Sequence, residues 1–293
     1  MSATIQLTLD GSLVHNKHQV SLRVLGKAMV SIQAAADRAY LDVRYGSVWK
    51  HARLPVAFYD DADFIVGEPY EGSFVLEFVS QRGSDVVRRM REALRDPYRQ
   101  AREGGFEAAR AIDRQINARK GQVDNELMVP QPFEAFLENP DQLATRTFGD
   151  KSINKNIDQL LTPVRHDDNA YLKLVLQPSL REGSETYEFT KGTAQAFKKV
   201  IGKRELGNPV IYRGRLRTLD RGHNQTSNFR GKLTNLANDK DVAIYIQSEE
   251  DYNSLVPYMS QDEVTLVACP IIEFESFDPN GGDIQFVKIL QDG

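Results

Sequence analysis

The sequence holds a single cysteine, Cys269, among 293 residues. One thiol cannot close a disulfide within the chain, so stability has to come from a buried apolar core, and a reducing, cytoplasmic setting is expected. No apolar run approaches the roughly 20 residues that span a bilayer, and no membrane partner is expected. The opening residues Met1 to Leu7 lack the basic start and apolar block of a secretory signal. Also missing are a Gly-rich phosphate loop, a helical pair of metal-binding histidines and a nucleophile elbow. Catalysis therefore has no recognisable motif to rest on, and no cofactor or resident metal is expected.

Charge is abundant and unevenly placed. The formal net charge is −4. Residues 203–240 carry nine Lys and Arg against three acids, whereas 241–293 carry one Lys against eleven acids. A further basic stretch, 82–120, holds eleven basic residues and six acidic ones. Such segregation provides either an anion-binding face or charges that pair between neighbouring subunits. The length suffices for two domains, or for one domain with a large appendage.

Near the start, Ile5, Leu7 and Leu9 alternate with polar residues and predict a strand closed by Asp10-Gly11. Leu25, Ala28, Met29, Ile32, Ala35, Ala36, Ala39, Tyr40 and Val43 recur at three- and four-residue steps and predict a helix ended by Gly46. Its apolar stripe is expected to cover a sheet built from Leu54 to Tyr59 and from Ser73 to Val79, the latter preceded by a turn over Gly67 to Gly72. The strand, the helix and the later Gly72-Ser73-Phe74-Val75-Leu76 strand together resemble the start of a group of uncharacterised bacterial proteins. The resemblance extends over about the first 80 residues. It implies a bacterial or phage-related setting, into which a part in antiviral defence would fit, and it implies no activity.

Ser84 is expected to cap a helix with Val86, Val87, Met90 and Leu94 on its apolar stripe and Arg88, Arg89, Arg91 and Arg95 on the remaining surface. Asp96-Pro97 predicts a break and restart, and Gly104-Gly105 a second break. A further helix carries Phe106, Ala109, Ile112 and Ile116 inward and Arg110, Arg114, Arg119 and Lys120 outward. These guanidinium groups have two readings: a track for a phosphate backbone, or a solvated face paired with Asp85, Glu92, Asp96, Glu103, Glu107 and Asp113. Narrow apolar stripes add a third, assembly with other helices. Residues 122–139, with Pro130 and Pro132, read as a linker or a docking segment that exposes Phe133 and Phe136. Ile153, Ile157, Leu160, Leu161 and Val164 mark a short helix. Strands at Tyr171 to Leu176 and Thr186 to Thr190, with a helix through Ala194, Phe197, Val200 and Ile201, form a small connecting domain or a preface to the last module.

Three clusters could hold a metal or do acid–base work: His15 with His18, Asp60-Asp61-Ala62-Asp63, and His166-Asp167-Asp168. Each has a plainer reading as a polar turn or loop.

The final module opens on Val210-Ile211-Tyr212-Arg213-Gly214-Arg215-Leu216-Arg217. Strand alternation sends the three arginines to one face and Val210, Tyr212 and Leu216 to the other, with Gly214 at a sharp bend. The loop 220–228, rich in His223, Asn224, Gln225 and Asn228, leads to strands at Phe229 to Leu233 and Val242 to Gln247. Ser248 caps a helix in which Tyr252, Leu255, Val256 and Met259 plug the barrel bottom. Val264 to Cys269 and Ile284 to Leu290 close the set. Three strands, a helix and two strands resemble the OB-fold, which commonly grips single-stranded nucleic acid with basic strands and aromatic platforms. Tyr212, His223 and Phe229 are the aromatic candidates, and the acids Glu273, Glu275 and Asp278 of the last loop oppose such a use.

The expected architecture is α+β: a small N-terminal α/β module over 1–82, a helical middle over 83–165, and a β-rich domain over 166–293 with an OB-like five-stranded barrel at about 209–290. The first functional expectation is a non-enzymatic assembly or sensor subunit, a homo-oligomer or part of a larger protein complex. The alternative is a nucleic-acid or nucleotide-binding protein that uses Arg213, Arg215, Arg217, Arg230, Lys232, His223 and Phe229 of the barrel, with Arg88, Arg89, Arg91 and Arg95 of the helical region. A metal-dependent hydrolase built on the acidic clusters is the third.

Overall fold

A computed structural model describes residues 2–15, 19–66, 74–104, 112–222 and 229–290. His18, Gly72, Ser73, the turn from Gly67 to Gly72, Gly105, Phe106, Ala109, Arg110, His223, Asn224, Gln225 and Asn228 lie outside the described residues. The chain divides into two compact units, and both are assembled from separate stretches. Unit one comprises Met1–Val48, Ala52–Glu107 and Phe148–Gly202; unit two comprises Trp49–His51, Ala108–Thr147 and Lys203–Gly293. No helix among the described residues is long and apolar enough to cross a membrane.

Elements are numbered along the whole chain. Unit one contains β1 (Ala3–Gly11), β2 (Val14–His15), β3 (Gln19–Val20), α1 (Leu22–Tyr45), α2 (Tyr59–Ala62), β4 (Ile65–Val66), β5 (Phe74–Ser80), α3 (Ser84–Glu103), α6 (Phe148–Leu160), β7 (Ala170–Gln177), β8 (Glu185–Phe189) and α7 (Lys191–Ile201). Unit two contains α4 (Ile112–Asp124), β6 (Gln131–Pro132), α5 (Phe133–Glu138), β9 (Arg204–Leu206), β10 (Val210–Asp220), β11 (Phe229–Asn235), β12 (Lys240–Ile246), α8 (Glu249–Leu255), β13 (Val264–Glu273) and β14 (Ile284–Ile289).

Unit one is an antiparallel sheet, in the order β4-β5-β1-β7-β8, with helices against it. Register puts Ile5 opposite Phe78 and Leu176, Leu7 opposite Leu76 and Leu174, and Leu172 opposite Phe189. All of these are buried on one face, as a period of two requires. α1 begins where the Ser21 hydroxyl accepts from the Val24 amide and ends at Gly46, whose φ of 68° suits glycine. Ala28, Ile32, Ala35, Ala36 and Ala39 form its buried stripe.

Three expectations fail in this unit. Leu54 to Tyr59 is not a strand: Val56–Phe58 forms a 3-10 turn that runs into α2, and the strand on the edge of β5 away from β1 is the short β4. The segment with β7, β8 and α7 is neither a connecting domain nor a preface to the barrel, because β7 pairs along the full length of β1. Nor does the chain break at Asp96-Pro97. α3 runs through Pro97, which cannot supply the amide that the Ala93 carbonyl would otherwise accept. The buried Asn154 of α6 donates its side-chain amide to that carbonyl at 2.7 Å instead.

Unit two is built on a closed five-stranded barrel, β10-β11-β12-β14-β13 and back to β10. β12 and β14 run parallel, and a helix lies in sequence between the third and fourth strands, so the topology is that of the OB-fold. Gly214 is the corner, pairing with Val264 of β13 on one side and with Asn235 of β11 on the other. A Cβ placed there would lie 2.5 Å from the Thr234 carbonyl oxygen, so only glycine allows the two strands to close this tightly. Val210, Tyr212 and Leu216 point into the barrel beside Leu233, Ile244, Leu266 and Phe286. α4 covers the outer side of β13 and β14 through Ile116 and Val123, packed against Val267, Cys269 and Val287.

Phe133 and Phe136 are not exposed on a linker. β6 joins β10 in parallel and turns directly into α5, which drives both rings into the barrel core, Phe133 at 5.2 Å from Tyr212. Tyr252 and Leu255 fill the barrel end as expected, but Val256 and Met259 are exposed and Tyr258 packs inward in their place. Burial pushes the Cys269 thiol up to about 12, which leaves it inert at neutral pH.

Candidate functional site

On the barrel's outer surface, Arg213, Arg215 and Arg217 project to solvent from β10 while Tyr212, Gly214 and Leu216 are buried. A bulge at Arg217 shifts the register against β11. Next to them stand Lys232 of β11, opposite Ala243, and Arg230, opposite Tyr245 of β12. The basic row therefore exists as a surface feature. Three of its five cations, however, have carboxylate neighbours within the same unit. Arg213 reaches Glu263 at 2.6 Å, Arg215 reaches Asp262 at 3.7 Å, and Lys232 reaches Asp241 at 2.7 Å. Hydrogen bonds from Lys232 and Thr234 hold the Asp241 carboxyl below the usual range, and the charge of Arg217 adds to this. Arg230 lies over the Tyr245 ring at 5.1 Å, a cation–π contact.

The aromatic candidates are placed differently. Tyr212 is fully buried, so it offers no platform. Phe229 is half-buried and packs against Tyr252 at 5.3 Å, with Arg221 over the other ring. The exposed-side aromatic is Tyr245, which the sequence reading passed over; extending the Arg230 register across the β11–β12 turn would have found it. The acids of the last loop are already engaged. Glu273 pairs with Arg204, Glu275 with Arg146 and Thr145, and the buried Asp278 accepts from the amides of Lys50 and Asn280.

In unit one, the arginines of α3 bind acids brought in by other elements. Arg88 joins Glu182 at 2.7 Å and also Asp85. Arg89 bridges Asp42 of α1 and Asp150 of α6, each at 2.7 Å, in a largely buried cluster. Burial works against the Arg89 charge, but Asp150 and Asp42 more than offset it and raise its pKa above the ordinary guanidinium value. Arg91 is also largely buried, 3.4 Å from Glu185, and Arg95 pairs with the same carboxylate. Glu182 is held below the usual range by its hydrogen bond from Arg88. Burial pushes Glu185 the other way, yet Arg95 and Tyr187 bring it below that range too. Arg88, Arg89, Arg91 and Arg95 thus fasten α3 to its own unit.

The acidic clusters are divided among separate partners. Asp61 pairs with Arg82 and accepts from Tyr40, Asp167 accepts from the Asn169 amide, and Asp168 pairs with Lys191. Among the described residues no three His, Cys, Asp or Glu side chains come together in a way that could hold a metal ion.

A groove of about 510 Å³ opens in unit one between the C-terminal half of α3 and β8. Arg95, Tyr98, Arg99, Arg102 and Glu103 line one wall; Glu185, Thr186 and Tyr187 line the other. Arg99 pairs with Asp96 at 3.1 Å, and Arg102 lies over the Tyr98 ring at 5.8 Å.

The fold and the two surfaces define an α+β protein with an OB-topology barrel. No protein-family model matches the chain, and no curated protein and no solved structure matches it.

Proposed function

We propose that this chain is a non-enzymatic subunit that works through contacts with other proteins, including further copies of itself. The observation that carries the reading is the pairing of its cations. Seven of the nine described basic side chains expected to meet an external anion, all but Arg217 and Arg230, already have a carboxylate of their own unit within 4 Å. A bacterial cytoplasmic setting, with a sensor or antiviral-defence part, is the finer form of this reading. It is supported by the single cysteine and by the resemblance of the first strands and helix. Size-exclusion chromatography with light scattering at micromolar concentration is expected to show a species of two or more chains, or a co-purifying partner. A strictly monomeric, unaccompanied chain overturns the proposal.

A second reading, single-stranded nucleic-acid binding across β10–β12, is supported by the exposure of the barrel pairs and by Arg230 over Tyr245. Exposed ion pairs contribute about 1 kcal/mol or less, so a phosphate backbone could displace them. It predicts oligonucleotide retention that falls by orders of magnitude between about 50 and 200 mM salt and is lost in Arg213→Glu, Arg215→Glu, Arg217→Glu. Equal retention by the wild type and this triple variant rules it out.

A further inference from the structure

β8 is one edge of the sheet in unit one, and its open side is only partly defended. The Tyr98 hydroxyl, reaching over from α3, accepts from the Glu188 amide at 2.9 Å and donates to the Glu188 carbonyl at 3.2 Å. Glu188 therefore directs its backbone groups away from β7. In an antiparallel ladder the direction alternates with every residue, so Thr186, two positions earlier, also turns its N–H and C=O outward. Among the described residues neither group has a hydrogen-bond partner, and Thr186 is exposed beside the groove. The edge thus offers one unsatisfied donor–acceptor pair, closed off on one side by Tyr98.

The groove beside that pair carries both signs of charge. Arg95, Arg99 and Arg102 stand on it together with Glu103 and Glu185. A uniformly acidic or basic ligand would meet like charge on one of these groups. A surface that supplies both signs is complementary to itself, which is the property a two-fold interface requires.

We propose that β8 and the adjoining face of α3 form a two-fold interface with a second copy of this chain. This rests on the assembly reading above and assigns a surface to it. Thr186 pairs with Thr186 of the other copy through two reciprocal backbone hydrogen bonds, and the Tyr98 hydroxyl fixes that register by occupying the next pair. Arg99 and Arg102 of each copy then face Glu103 of the other. The two sheets continue into one another across the dyad.

The experiment uses the full chain. Light scattering and analytical ultracentrifugation of the wild type are expected to show a dimer in equilibrium with monomer. The charge reversal Arg99→Glu, Arg102→Glu is expected to raise the dimer dissociation constant at least tenfold, and Glu103→Lys is expected to raise it as well, because each makes the patch repel itself. Mixing the two variants is expected to restore a heterodimer, since their patches are then opposite in sign. Thr186→Pro removes only the outward N–H and is expected to weaken the dimer without a change in far-ultraviolet circular dichroism. If the wild type assembles and neither Thr186→Pro nor Arg99→Glu, Arg102→Glu shifts the equilibrium, the interface lies elsewhere and only this surface is lost. If the wild type is strictly monomeric and unaccompanied, the assembly reading falls with it. Thermal melts of each variant separate a weakened interface from a damaged fold.

Discussion

Replacing Arg89 by leucine is expected to destabilise unit one by roughly 3–5 kcal/mol, the cost of breaking a buried ion cluster from one side. Arg89 sits between Asp42 of α1 and Asp150 of α6, and only a small part of its side chain meets water. Its removal takes the shared guanidinium from between two carboxylates. Asp42 has little room to turn away, because a Cβ on Gly149 would already lie 2.2 Å from its Oδ2. Urea titration followed by circular dichroism measures the effect. A loss below about 1 kcal/mol would show that water reaches the cluster and screens it.

The second large effect concerns Pro97. Asn154→Ala is expected to cost about 1–3 kcal/mol, because it leaves the Ala93 carbonyl buried without a donor. In a Pro97→Ala background the backbone amide at position 97 returns to that carbonyl, and the cost of Asn154→Ala should shrink by at least about 1 kcal/mol. A double-mutant cycle measures this coupling directly. Additivity of the two substitutions would mean that the Asn154 amide does not stand in for the missing backbone donor. Asn154 also donates to the Asp150 carbonyl at 2.9 Å, so part of its contribution survives in either background.

The barrel was legible because its signals are local. Alternation along β10, the glycine at its corner and the Ser248 cap each state their own structure, and together they order the strands as an OB-fold. Other features depend on contacts that no window of sequence contains. The pairing of β7 with β1 joins residues near opposite ends of unit one. Continuity of α3 through Pro97 depends on an amide from α6. The burial of Phe133 and Phe136 depends on two residues of β6 finding β10, which brief alternation cannot announce. Arginine-rich periodicity on α3 looked like a phosphate track because its partners, Asp42, Asp150, Glu182 and Glu185, lie far away along the chain.

The late arrival of β7 bears on how the chain is made. On the ribosome, β1 and β5 emerge able to pair with one another while the other edge of β1 stays open, and the central ladder cannot close until Gln177 has been synthesised. Closing so long a loop is slow, and an open apolar strand invites wrong partners in the interval. The five barrel strands come from one contiguous stretch and need no such delay. Nascent unit one is therefore the part of this protein with the greater call on chaperones.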